Sequence, residues 1–399
     1  MVVSSHRACP LCGNPTPDEL GWIHLPQISG SPLPDGYRLV ACTPCDFAYA
    51  DTPAPQSAYD TYYRTQAKYG GPTGTGGGID AADRQRLDEL ADRLTAWLPR
   101  HDARVLDIGC GAGGLLQTLQ RRGYTHAEGI DPDPAAAQAA RQCGLTVHTG
   151  LAAETPTVLA GRQFDLIVMS HVAEHLRDFD AFDHLPALLA PGGTLYVEVP
   201  DPRHYRCGER PPLYYVDSEH INHFSPHALA RLFSRMGLLP RGFTETPLTL
   251  ADGTSYPALA GIAGAATGDT GAAPAPDMLP RLRDYLADSL RRTASAWRIA
   301  PALGPGPVLV WGAGSWAQRL TGQGAIPIQQ VCAFLDNAPN KQGLTFAGKP
   351  IVSPAEGLSR HPDAQVLVCV AVNPTQIAAE LQRLEPGNPR IPHFITDRA

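Results

Sequence analysis

The chain has 399 residues, of which 39 are glycine and 39 proline, about a fifth of the total, and 43% are apolar. That length and apolar share suit two or three packed domains and exclude wholesale disorder or a collagen-like repeat. With 32 basic against 39 acidic residues the net charge is −7, which offers no general attraction to nucleic-acid backbones or anionic membranes.

The opening MVVSSHRACP lacks the apolar core of a signal peptide, and no run of about 18 apolar residues follows anywhere. The expectation is a soluble, cytoplasmic protein with a small-molecule partner, neither nucleic acid nor membrane, working as a monomer or homodimer. Residues 1–70 hold Cys9-x-x-Cys12 and, after 29 intervening residues, Cys42-x-x-Cys45. Two such knuckles converge four thiolates on one tetrahedral zinc ion, and four ligands leave no open position, so the metal is expected to be structural. The remaining five cysteines are scattered, and the odd total argues against a disulfide framework. GGPTGTGGG (70–78) then reads as a flexible joint.

Leu87, Leu90, Leu94 and Leu98 recur at helical spacing and lead into an α/β domain expected over 80–250. Strand-like runs (ARVLDIG, HAEGID, LTVHTG, FDLIVMS, GTLYVEVP) alternate there with helical ones, the pattern of a parallel sheet covered on both faces. Residues 251–277, dominated by Ala, Gly and Pro, read as a linker. From 278 a helix and then PVLVWGAGSWAQRL, IQQVCAFLDN and AQVLVCVAV predict a second doubly wound unit to residue 399. Gly312-x-Gly314-x-x-Ala317 with Asp336 is either a second nucleotide site or tight strand–helix packing.

In VLDIGCGAGGLL a buried strand ends in Asp107, Gly109, Gly111 and Gly113 before a helix, a turn whose backbone can approach a ligand closely. Asp131 ends the next strand about 20 residues on, placed to accept from ribose hydroxyls. A histidine-rich set follows: His171, Glu174 and His175 in HVAEH, then Tyr214, Tyr215, Asp217, Glu219, His220, Asn222 and His223 in YYVDSEHINHF. Histidine titrates near neutrality and can take a proton from a substrate.

Over about 80–245 these motifs, in this order, resemble the class I S-adenosylmethionine-dependent methyltransferases. The resemblance implies that Asp107, Gly109, Gly111 and Gly113 form the S-adenosylmethionine loop, that Asp131 holds the ribose, and that Gly150 and Leu151 lie near the adenine. The full order, an α/β Rossmann-like methyltransferase domain between an N-terminal zinc-ribbon module and a C-terminal Rossmann-like domain, is similar to the sugar C-methyltransferases of deoxysugar biosynthesis. FLDNAPNKQGLTFAGKPIVSP carries the C-terminal part of that likeness. The likeness implies a nucleotide-linked (TDP-type) 4-keto-6-deoxyhexose as substrate, His220 as base, Glu219 as its partner and His175 as a second polar group at the sugar. Tyr214, Tyr215, Asn222 and His223 are the expected substrate-binding residues. Where that family has Tyr two residues before the Glu, this chain has Asp217. Transfer to an oxygen or nitrogen of a natural product or glycan is the alternative.

Overall fold

A computed structural model describes residues 5–65, 77–78, 81–98, 100–208, 210–250, 253–265, 274–296, 303–370, 374–387 and 390–394. The chain divides into two compact units, one of 1–20, 39–204 and 219–281 and the other of 21–38, 205–218 and 282–399.

The first unit opens with β1 (Asp18–His24), β2 (Gly36–Cys42), β3 (Phe47–Asp51) and helix α1 (Gln56–Thr65), the outer parts of β1 and β2 being counted with the second unit. The methyltransferase-like region follows as α2 (Ala81–Thr95), β4 (Val105–Ile108), α3 (Gly114–Arg121), β5 (Ala127–Asp131), α4 (Pro134–Gln142) and β6 (Thr146–Thr149). It continues through α5 (Thr155–Val158), β7 (Phe164–Ser170), α6 (Asp180–Asp183), α7 (Leu185–Leu188) and β8 (Leu189–Pro200). Then come β9 (Asn222–Phe224), α8 (Pro226–Arg235), β10 (Leu239–Glu245), β11 (Leu248–Thr249), β12 (Ser255–Tyr256) and β13 (Ala258–Gly264). All five expected strands of this region are present as β4 to β8.

Seven strands form one sheet in the order β10-β13-β8-β7-β4-β5-β6. The five from β6 to β8 are parallel, whereas β13 runs antiparallel to both β8 and β10. Chain order reverses between β4 and β7, so the crevice above the carboxyl ends of these strands is the place where doubly wound sheets bind ligands. The apolar runs VLDI and FDLIVMS are buried because helices cover both faces of the sheet.

The segment expected to be a linker at 251–277 is in part a strand. Ala258–Gly264 pairs residue for residue with Thr194–Pro200 and every one of its residues is buried. Its small residues are a packing requirement. A Cβ on Gly261 would come within 2.9 Å of the Phe233 ring and 3.2 Å of Leu229, both on α8. Residues 266–273 of that stretch, and nearly all of the expected joint at 70–78, lie outside the described residues.

The cysteine region shares its core with the large sheet. Cys9, Leu11, Val40, Phe47 and Tyr49 belong to one buried cluster with Ile108, Phe179, Phe224, Leu229 and Phe233. Asp46, in the left-handed conformation at φ 47° after the second knuckle, accepts from the backbone N–H groups of Asp277, Met278 and Leu279. It thereby caps helix α9 (Met278–Ala296).

The second unit continues with β14 (Val308–Trp311), α10 (Ser315–Gly322), β15 (Val331–Leu335), β16 (Thr345–Phe346), β17 (Lys349–Val352), α11 (Pro354–Arg360), β18 (Gln365–Val368), α12 (Pro374–Leu384) and β19 (His393–Phe394). Its sheet runs β16-β17-β15-β14-β18-β19, parallel except for β16. This is the expected second Rossmann-like domain. Among the described residues no helix is long and apolar enough to cross a membrane.

Candidate functional site

Strand β4 ends at Ile108, and Gly109 turns the chain at φ 76°. A Cβ there would strike Val172 Cγ2 at 2.5 Å, so the glycine loop lies directly against the turn after β7. Gly111 is also left-handed, at φ 52°, but a Cβ on it would meet nothing within 4 Å, which leaves the loop's outer side open. Gly113 starts α3. Asp131 is buried and accepts from Gly111 N–H at 2.8 Å and from Asp133 N–H at 2.9 Å. Burial pushes its carboxyl upward, an effect those two bonds oppose. Asp107 is more extreme: burial, with the Asp131 charge nearby, pushes it up to about 8. Gly150 N–H donates to the Asp131 carbonyl and Leu151 N–H to Glu154 Oε2 at 2.7 Å. These residues fit S-adenosylmethionine: an open backbone cradle, and beside it an acid at the end of the second strand.

The turn after β7 carries the second set. His171 has φ 56°, an uncommon conformation for a non-glycine residue and one that clusters at functional sites. Its Nδ1 lies 3.0 Å from Glu174 Oε1 and its Nε2 3.7 Å from Glu198 Oε1. Both glutamates are fully buried. Burial alone would raise their pKa values, but His171 beside both, the other two imidazoles near Glu174, and Arg93 with the Tyr196 and Ser170 hydroxyls at Glu198 outweigh it and hold both carboxyls below their ordinary range. Glu198 is further gripped by Arg93 Nη2 at 3.0 Å, Tyr196 OH at 2.6 Å and Ser170 Oγ at 3.0 Å.

His220 and Glu219 reach this turn through the backbone. Ile221 N–H donates to the Glu174 carbonyl at 3.0 Å, and His175 Nδ1 donates to the Glu219 carbonyl at 2.9 Å. The His175 and His220 rings lie 5.1 Å apart, tilted by 32°. Tyr62 OH, from α1, donates to Glu219 Oε1 at 2.8 Å, and Tyr63 packs on His175. Asn222 spends its amide on the turn itself, donating to the carbonyls of Ala173 and Leu176 while its oxygen accepts from the buried Arg7. His223 is buried in β9, opposite Ala48.

The expected substrate residues do not all fall in this unit. Tyr214 and Tyr215 belong to the second, where Tyr215 is stacked on Tyr205 at 4.2 Å and packs on Tyr285. Asp217, at the position of the family's Tyr, is there too, paired with buried Arg319 at 3.5 Å while its carbonyl accepts from Tyr37 OH. The residues that the sequence patterns left out are Tyr62 and the Glu198–Tyr196–Arg93 group. No motif marks them, although Glu198 is an acid in an otherwise apolar strand.

In the second unit's glycine turn, Asp336 accepts from Ala313 N–H at 3.1 Å and pairs with Lys341 at 3.0 Å. At the cysteines, all four sulfurs lie within 4.8 Å of one another, with Cys9–Cys45 at 4.0 Å and Cys12–Cys42 at 3.6 Å. Sulfurs bound at about 2.3 Å to one tetrahedral ion sit about 3.8 Å apart, so the set fits zinc. Asn14 Nδ2 stands 3.9 Å from Cys42 Sγ, as a second layer of support would.

The sheet order and the glycine loop at its switch point define the Rossmann-like fold of the class I methyltransferases. Residues 81–239 match a family model described as a methyltransferase domain. Among curated proteins the chain is similar to the ubiquinone biosynthesis O-methyltransferase of Agrobacterium fabrum, 31% identical over 161 residues, covering 37% of this chain and 64% of that protein. The Xylella fastidiosa protein of the same name is 33% identical over 148 residues, 36% of this chain and 58% of that one. The chain thus spans about three fifths of these relatives. A solved S-adenosylmethionine-dependent methyltransferase from Methanosarcina mazei aligns with 43% of this chain and 96% of its own, at 19% identity and TM-score 0.35.

Proposed function

We propose that the chain is an S-adenosylmethionine-dependent methyltransferase acting on a small molecule, with a nucleotide-linked keto-deoxysugar, methylated at carbon, as the first reading. The observation that supports it is the contact of the glycine loop with the His171–His175 turn, through Gly109 and Val172, because it sets proton-handling groups beside a cofactor cradle. When bound, S-adenosylmethionine supplies an activated methyl group on its sulfonium. The protein's own work is then alignment and generation of the nucleophile. Asp131 holds the ribose, and the backbone from Gly109 to Gly113 admits the methionine part. His220, with Glu219 beside it in the chain and Tyr62 on that carboxylate, takes the proton from the carbon next to the keto group, while His175 faces the sugar. Zinc at Cys9, Cys12, Cys42 and Cys45 is structural in this reading. The second unit serves as the substrate side, its Asp336 being engaged by Lys341 instead of awaiting a second dinucleotide.

Methylation of a hydroxyl is the second reading, favoured by the O-methyltransferase names of the relatives. A TDP-4-keto-6-deoxyhexose incubated with the protein in D₂O, without cofactor, is expected to exchange its C3 proton, and His220→Ala to lose that exchange by about 10²-fold or more. No exchange, or exchange indifferent to His220, overturns carbon methylation. NMR of the methylated product then separates C-methyl from O-methyl.

A further inference from the structure

We infer that Glu174, His175 and His220 form a binding site for a divalent transition-metal ion, distinct from the four cysteines. One ligand atom from each of the three lies within 4.8 Å of the others. The hydrogen bonds of His175 determine its tautomer. The Glu219 carbonyl can only accept, so Nδ1 carries the proton and Nε2 of the neutral ring presents a lone pair. A metal-ligating histidine is commonly oriented in this way, its other ring nitrogen donating to a backbone carbonyl. That lone pair faces Glu174 Oε1 at 4.0 Å, acceptor against acceptor, an arrangement that a cation between them relieves.

Glu174 supplies the second observation. It is fully buried, and its Oε2 has no hydrogen-bond partner among the described residues, although Oε1 is engaged by His171. A buried carboxylate oxygen without a partner is costly, and a metal ion would satisfy it. The other cluster of acids and histidine in this unit, Asp201, His204 and Glu245, lacks this feature. There Arg203 donates through Nε and Nη2 to both oxygens of Asp201 and already supplies the positive charge.

Two imidazoles and one carboxylate suit zinc, iron, cobalt or nickel better than magnesium or calcium. Ligands at about 2.0–2.2 Å from a common tetrahedral ion stand about 3.3–3.6 Å apart, so the three side chains close by about 1 Å on binding. Three protein ligands leave at least one coordination position open. An ion there would polarise an acceptor carbonyl or hydroxyl oxygen and so acidify the adjacent C–H or the O–H itself. This use rests on the methyltransferase reading; the binding does not. With the ion bound His220 is a ligand and not the base, so D₂O exchange by the metal-free protein assigns it the proton and exchange that requires the metal assigns it to the ion.

The test is zinc stoichiometry and cobalt spectroscopy on the full chain, stripped and then titrated with Zn²⁺ or Co²⁺. Wild type is expected to bind two equivalents, the thiolate site giving intense Co²⁺ charge-transfer bands and the second only weak d–d bands. Cys12→Ser/Cys42→Ser should keep the second equivalent. Glu174→Gln and His175→Ala should keep the thiolate one and weaken the other at least tenfold. Wild type that saturates at one equivalent overturns the site, even where a variant fails to fold. So does a second equivalent weakened less than tenfold in both folded variants. Methyl transfer by protein that binds only one equivalent would leave the proposed activity standing without the site.

Discussion

Asp107 illustrates how the glycine loop is held at a cost. Its carboxyl, at the buried end of β4, is pushed up to about 8 by burial and then by Asp131. The folded protein therefore binds a proton there that the unfolded chain, titrating near the ordinary carboxylate value, has lost. Stability contributed by the neutral acid is present at low pH and falls as pH rises through about 8. Thermal melts at pH 6 and pH 9 are expected to show wild type losing stability across that interval and Asp107→Asn losing much less. Equal losses would mean that Asp107 is already ionised at pH 6. Glu174 and Glu198 are the opposite case: equally buried, both are held below the ordinary carboxylate range, with the His171 ring within reach of each.

Among the elements, the parallel strands were legible because each is an apolar run ending in a turn residue, and the glycine loop because its spacing is distinctive. β13 was not legible, since periodicity weighs hydrophobic bulk and Ala258–Gly264 has almost none. Its smallness is dictated by Phe233 and Leu229 on α8, a tertiary fact. Gly261→Val should therefore destabilise the first unit by about 1–3 kcal/mol through overpacking, read as a lower denaturant midpoint with unchanged slope. A neutral result would show that α8 can retreat. The candidate site was half legible for a related reason. HVAEH and SEHINHF could be read as motifs, but Tyr62 on α1 and the Glu198 group meet them only through the fold. Tyr214 and Tyr215, adjacent to that motif in sequence, are consumed by the aromatic packing of the other unit.

On the scale of the whole molecule, the cysteine region is not a detachable module. Cys9, Cys42 and Cys45 are buried in the same cluster as Phe179, Phe224 and Phe233. A metal bound at the cysteines would thus be coupled to the stability of the large sheet. Stripping the metal, or Cys12→Ser/Cys42→Ser, should lower the melting temperature of the main cooperative transition by on the order of 5 °C or more, followed by circular dichroism. A separate early transition, with the main one unmoved, would show the region to be independent.

The position of β13 also bears on how the chain is made. β13 is the last strand of its sheet in sequence, yet it enters between β8 and β10. Until residue 264 has left the ribosome, β8 keeps an open edge and β10 has no partner in the sheet. A nascent or truncated chain ending before Ala258 therefore exposes a long apolar strand edge of the kind that recruits other chains. The glycines and alanines that look like filler are the closing piece of the sheet, and the nascent chain is most prone to aggregate in the interval before they arrive.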